Sequence, residues 1–218
     1  MPGARTSASV TRAAAVGMVA ALVLTGCSGG GDSPAAQPSA SPSSSAVDLP
    51  PGLNLTDPGS DLAFGDTATV QFNPNQNRGS VLQLTVKSVR KGSVKDLAGF
   101  VLDAKAKAAS YFYVNVAVAN LGEGDVGGTA VPLWGVDDEN TLLPAVDFTT
   151  TFDRCPSEPL PTRFGPGDEL ETCLVYQVPT GGLAAVSFRP TQDFDPIQWT
   201  GELTERAPKP TKKPTKKR

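Results

Sequence analysis

Three cysteines (Cys27, Cys155 and Cys173) and several carboxylate clusters are the side chains with chemistry to offer, and histidine is absent. Without histidine, imidazole-based triads, imidazole acid–base catalysis and histidine metal ligation are excluded together. Cys155 and Cys173 are not spaced as a redox Cys-x-x-Cys, and no other soft ligand accompanies them for zinc. Asp137-Asp138-Glu139-Asn140 has the oxygens a calcium ion takes but not the twelve-residue loop with its central glycine, so it reads as a solvated turn. Asp168, Glu169 and Glu171 sit where a loop enters a strand, and Asp193 and Asp195 flank Phe194. Glycoside hydrolysis needs two carboxyl groups at a fixed separation in a cleft, and no pair stands out. No catalytic residue, metal ligand or cofactor is assigned, and the chain reads as a non-enzyme.

The elements that must position these groups begin with the first 26 residues. Arg5 and Arg12 precede an apolar run from Ala13 to Val23, and no acidic residue occurs before Asp32. This is the layout of an export signal, and the run is too short for a bilayer, which needs roughly 20 apolar residues. Leu24-Thr25-Gly26-Cys27 then resembles the lipobox of bacterial lipoproteins. The resemblance implies cleavage between Gly26 and Cys27, a diacylglyceryl thioether on Cys27, and anchoring at the extracytoplasmic face of the cell membrane. Two acyl chains anchor stably where one does not. Export makes a Cys155–Cys173 disulfide the simplest fate of the other two thiols, stabilising the fold by about 3 kcal/mol.

Residues 27–60 form a linker: from Ser28 to Pro51 the chain is mostly Ser, Pro, Gly and Ala. Such a stretch buries too little surface to offset its ordering entropy, so a disordered tether is expected. A flexible coil of about 24 residues spans roughly 25–30 Å. Residues 61–202 are the folding unit and 203–218 a Lys/Pro-rich tail, in which Lys209, Lys212, Lys213, Lys216, Lys217 and Arg218 are the candidates for an envelope contact. Anionic lipids or wall polymers are its natural partners, at about 1 kcal/mol per basic residue that reaches the surface. Nucleic acid is not expected outside the cell.

Within 61–202 the apolar pattern has period two. Strands are predicted at Asp66–Phe72, Val81–Val89, Tyr111–Asn120, Val131–Val136, Thr141–Leu143, Glu169–Val178, Leu183–Arg189 and Pro196–Gly201, with a turn at Asn73–Gly79. Val94–Ala109 reads as a loop with one or two helical turns. Seven or eight short strands punctuated by Gly, Pro and Asn argue an all-β sandwich. Phe112, Val114, Val116 and Val118 face one way; Tyr111 and Tyr113 face the other and are expected to be partly exposed, a candidate binding surface. Trp134 and Trp199 could join the two tyrosines in a stacking platform for sugar or peptide, but are expected in the core or covering its ends.

From about Phe64 to Gly201 the chain resembles actinobacterial lipoproteins with a telokin-like, immunoglobulin-like domain of unknown function. The likeness is carried by Tyr111–Gly122 (YFYVNVAVANLG), Val131-Pro132-Leu133-Trp134-Gly135, Phe152-Asp153-Arg154-Cys155-Pro156, Phe164-Gly165-Pro166-Gly167-Asp168, the Cys173 strand with Val178-Pro179, and Ile197-Gln198-Trp199-Thr200-Gly201. It implies an immunoglobulin-like sandwich and supplies no catalytic residues. The functional expectation is a membrane-anchored, non-enzymatic binding or adaptor module contacting an envelope protein. The alternative is a carrier of a small apolar or glycan ligand, which requires a pocket of several hundred cubic ångströms. A third reading, a wall hydrolase, requires a cleft with facing carboxylates.

Overall fold

The computed structural model describes residues 49–204. Cys27, the Gly26–Cys27 junction and the basic tail from Lys209 lie outside them. Among the described residues nine strands form two sheets: β1 Asp61–Ala63, β2 Thr67–Asn75, β3 Arg78–Lys91, β4 Ser110–Asn120, β5 Trp134–Asp137, β6 Leu142–Leu143, β7 Glu169–Val178, β8 Leu183–Phe188 and β9 Ile197–Thr200. One sheet runs β2-β3-β4-β7, the other β1-β9-β8-β5-β6. An immunoglobulin sandwich puts strands A, B and E in one sheet and C, F and G in the other. The orders β3-β4-β7 and β5-β8-β9 reproduce both runs, so the all-β, immunoglobulin-like expectation holds.

Alternation built the long strands as read. Phe112, Val114, Val116 and Val118 of β4 join Leu82, Leu84 and Val86 of β3 and Leu174, Tyr176 and Val178 of β7 in one core. Trp199, Val186, Phe188 and Ile197 close it from the other sheet. Gly135 leaves room in this packing, because a Cβ there would stand 2.8 Å from the Tyr176 ring. The Tyr176 hydroxyl donates to the Leu133 carbonyl at 2.9 Å, and burial pushes its pKa up.

Three elements depart from the pattern. β1 is only three residues long and pairs in parallel with β9, Leu62 opposite Trp199; a strand that short carries no periodic signal. β2 runs on through Asn73-Pro74-Asn75, so the expected turn shrinks to the residues before Arg78. Pro74 is tolerated because β2 is an edge strand whose register shifts between Phe72 and Asn75. Residues 131–133 are not strand: Leu133 N–H donates to the Val131 carbonyl across Pro132, and β5 starts at Trp134.

One end of the sandwich is tied by Asn120, which is fully buried. Its amide donates to the Gly124 and Phe164 carbonyls, and its Oδ1 accepts from Ser80 Oγ and Gly122 N. Gly124 must be glycine here, since a Cβ would lie 1.8 Å from the Gly79 carbonyl oxygen. Asp125 fastens the same loops, accepting from Gly127 N and Phe164 N; these bonds lower its pKa. Removing a buried hub leaves several polar groups unpaired. Asn120→Ala is expected to destabilise the domain by about 2 kcal/mol in urea unfolding.

Candidate functional site

Cys155 and Cys173 form a disulfide with Cα atoms 4.9 Å apart. It bridges β7 to the preceding connection on the outer face of the β2-β3-β4-β7 sheet, unlike the inter-sheet bridge of antibody domains. That placement corrects the reading of Tyr111 and Tyr113. Both are buried, with Leu97, Phe152, Cys155, Cys173 and Val175, in a second apolar cluster. Alternation did put them on the outer face, but the chain returns to cover it. A 3₁₀ turn (Val94–Leu97) and helix α1 (Ala104–Ala108) come from one side, and the stretch with Phe148 and Phe152 from the other. Tyr111 donates to the Ala106 carbonyl and Tyr113 to Asp96 Oδ2. Burial, aided by the Asp96 carboxylate, pushes Tyr113 up to about 12. Neither tyrosine is a binding surface.

The acidic clusters are structural or solvated. Asp137 is buried, and its Oδ1 accepts from Glu139 N and Thr141 N, closing the β5–β6 turn with Asn140 at a positive φ of 62°. Asp138 Oδ2 accepts from Gly182 N, and Asp168 Oδ2 from Gly165 N. Glu171 pairs with Lys87 across the sheet. Asp193 and Asp195 belong to the loop before β9, where the Asp195 carbonyl accepts from Gly59 N. Among the described residues no group of three metal-ligating side chains converges, and no helix is long and apolar enough to cross a membrane.

Of the two tryptophans, Trp199 is fully buried, whereas Trp134 is 37% exposed. Trp134 opens β5, opposite Ser187 of β8, and its ring lines an open cleft of about 640 Å³. Six separate segments build this cleft: the end of β2, the Pro132 turn, the Pro144–Asp147 connection, Ser157–Pro159, Leu174 of β7 and Arg189-Pro190 just after β8. Ser157 N–H donates to the Cys173 carbonyl and Val146 N–H to the Val175 carbonyl. The free edge of β7 thus holds two walls in place. The surface is mainly apolar, with Phe72, Leu174 and five prolines beside Trp134.

Polar groups in the cleft are few. Arg189 gives one guanidinium N–H to the Gln192 carbonyl, while its buried Nε has no partner among the described residues. Asp147 and Glu158 are solvent-exposed at the rim. Sequence reading missed this site because its walls are non-local; proline density beside Trp134 was the one signal available.

No family model and no curated protein matches the chain. Among solved structures it is similar to MPT63, a secreted protein of Mycobacterium tuberculosis. The identity is 10% and the TM-score 0.46, over 65% of this chain and 96% of that one. A likeness that distant carries no inference about activity.

Proposed function

We propose that this chain is an envelope-tethered, non-enzymatic binding module that carries a small apolar or glycan ligand in the cleft beside Trp134. The cleft is the supporting observation. Its volume of about 640 Å³ falls within the range of small-molecule sites, and its wall combines apolar surface with few polar anchors. A half-exposed indole offers a face to an apolar chain or to the C–H face of a sugar. Arg189 puts a cation in the cleft wall, one of the few polar anchors such a site uses. The hydrolase reading gains less, because Asp147 and Glu158 both stand at the wet rim, without the apolar pocket that a glycosidase's acid requires.

The second reading, an adaptor for an envelope protein, is favoured by the uncovered half of the outer sheet face. There Gln83, Thr85, Ala117, Ala119, Glu169 and Glu171 line a shallow groove of about 370 Å³. Either way, the lipid on Cys27 fixes the module to the membrane, and the tail from Lys209 to Arg218 adds attraction to anionic lipids or wall polymers.

Trp134→Ala is expected to weaken ligand binding at least about tenfold. Calorimetric titration of the mature chain with wall oligosaccharides and short-chain lipids reads this. No binding of either class, or equal binding by the variant, rejects the carrier reading. Cys27→Ala is expected to move the protein from the membrane fraction to the soluble one; retention on the membrane would reject lipid anchoring.

A further inference from the structure

Charge in the described domain is segregated. Between Lys87 and Ala109 there are six basic residues (Lys87, Arg90, Lys91, Lys95, Lys105, Lys107) and two acidic ones, Asp96 and Asp103. The rest of residues 49–204 holds four basic and 17 acidic residues. Both acids in the basic segment are committed to the fold. Asp96 has 2% side-chain exposure and accepts from Tyr113 Oη and Ser93 N; Asp103 caps α1 through Ala106 N. Two exposed acids, Asp147 between Val146 and Phe148 and Asp153 beside Phe152, belong to the stretch that packs on the same tyrosines.

The fold sets Arg90 and the two segments that carry Lys95, Lys105 and Lys107 over Tyr111 and Tyr113 as one layer. Arg90 lies over the Tyr113 ring at 4.7 Å, the 3₁₀ turn bearing Lys95 packs on that tyrosine through Asp96, and α1 with Lys105 and Lys107 packs on Tyr111. Lys95, Lys105 and Lys107 are exposed and make no ion pair with any described residue. Val101, between the turn and the helix, is fully exposed, more so than any other large apolar side chain described. Thr204 is hydrogen-bonded between Val89 and Lys91, opposite Arg90. Residues 205–218 add seven basic residues and one acidic.

We infer that this layer is the domain's membrane-docking face. Lys95, Lys105 and Lys107 meet the anionic headgroups of the bilayer, and Val101 inserts among them. Basic residues gain from an anionic leaflet, and one apolar side chain among them adds insertion. In sequence Lys95 precedes the exposed valine, and Lys105 and Lys107 follow it. The acidic remainder of the sandwich is then held away from the surface by like charge. This inference does not depend on what the cleft binds.

The test uses chain 27–218 carrying Cys27→Ser, so that no lipid anchors it, sedimented with phosphatidylcholine vesicles with and without phosphatidylglycerol. Salt-sensitive binding to the anionic vesicles alone is expected. The triple variant Lys95→Glu/Lys105→Glu/Lys107→Glu should lower partition by about 100-fold or more, and Val101→Asp by about tenfold. Truncation after Thr204 should weaken binding and leave a remainder that the triple variant abolishes. Equal binding by the triple variant, no binding by the truncated chain, or binding to isolated wall polymer with none to vesicles would each overturn the inference. An unchanged melting temperature in the triple variant separates lost docking from lost folding, since the three lysines hold nothing in the fold.

Discussion

Trp199→Ala is expected to cost the domain about 3–5 kcal/mol of stability, the range for deleting a large buried aromatic. Trp199 is fully buried and lies between Leu62 of β1 and Val186 of β8 in the ladder, with its indole N–H donated to the Asp66 carbonyl at 3.0 Å. Truncation would open a void between the sheets and leave that carbonyl unpaired. It would also loosen β1, whose only strand partner among the described residues is β9. Small domains are stable by about 5–15 kcal/mol, so much of the margin would go. Trp199→Phe keeps most of the packing and should cost about half as much, mainly the hydrogen bond and residual volume. Urea unfolding followed by circular dichroism measures both; a loss under about 1 kcal/mol for the alanine variant would mean the core is not organised around this ring.

Removing the disulfide as Cys155→Ser/Cys173→Ser is expected to cost about 3 kcal/mol, from the freedom returned to the unfolded chain. The two cysteines are 18 residues apart in sequence, and the bridge sits within the apolar layer over Tyr111 and Tyr113. Phe100, Phe148 and Phe152 stack on one another there at centroid distances of 5.0–5.9 Å. The loss should therefore be uneven. Amides of residues 92–109 and 146–157 should exchange faster, while β3, β4 and β7 stay protected up to global unfolding. Changing both cysteines avoids a stray thiol that could pair between two molecules. Equal exchange in the double variant would show that the aromatic layer holds itself.

The legible parts of the fold were those where one side of a strand is buried and the other is not. β7 came out residue for residue, and β4, β8 and β9 to within one residue at each end. What alternation cannot show is whether a later segment returns to cover the second face. Tyr111 and Tyr113 were assigned to the correct face, yet exposed, because the apolar residues covering them (Leu97, Phe100, Phe148 and Phe152) are scattered over stretches without period. Trp134 fails in the opposite sense. A large aromatic at a strand start reads as core, but the Pro132 turn and the connection at Pro144 leave its ring in the cleft wall. The cleft draws on segments more than a hundred residues apart, so no local pattern announces it. The disulfide was legible because export and two remaining thiols leave little alternative.

The lysine layer was hidden for a related reason. Val94–Ala109 looks like an unremarkable loop until Asp96 and Asp103 are seen to be committed inward, which leaves its lysines as the exposed charge. Thr204, about a hundred residues further on, returns to Arg90 at the edge of this layer.

The central claim is that the cleft beside Trp134 holds a small ligand while the chain is tethered to the envelope. Native mass spectrometry of the protein extracted gently from its own membranes tests it directly, with Trp134→Ala in parallel. The account predicts a discrete added mass of a small apolar or glycan molecule on the parent protein and its loss from the variant. An empty cleft in both proteins, alongside crosslinking in intact cells to one defined envelope protein through the Glu169–Glu171 face, would contradict it and leave the adaptor reading.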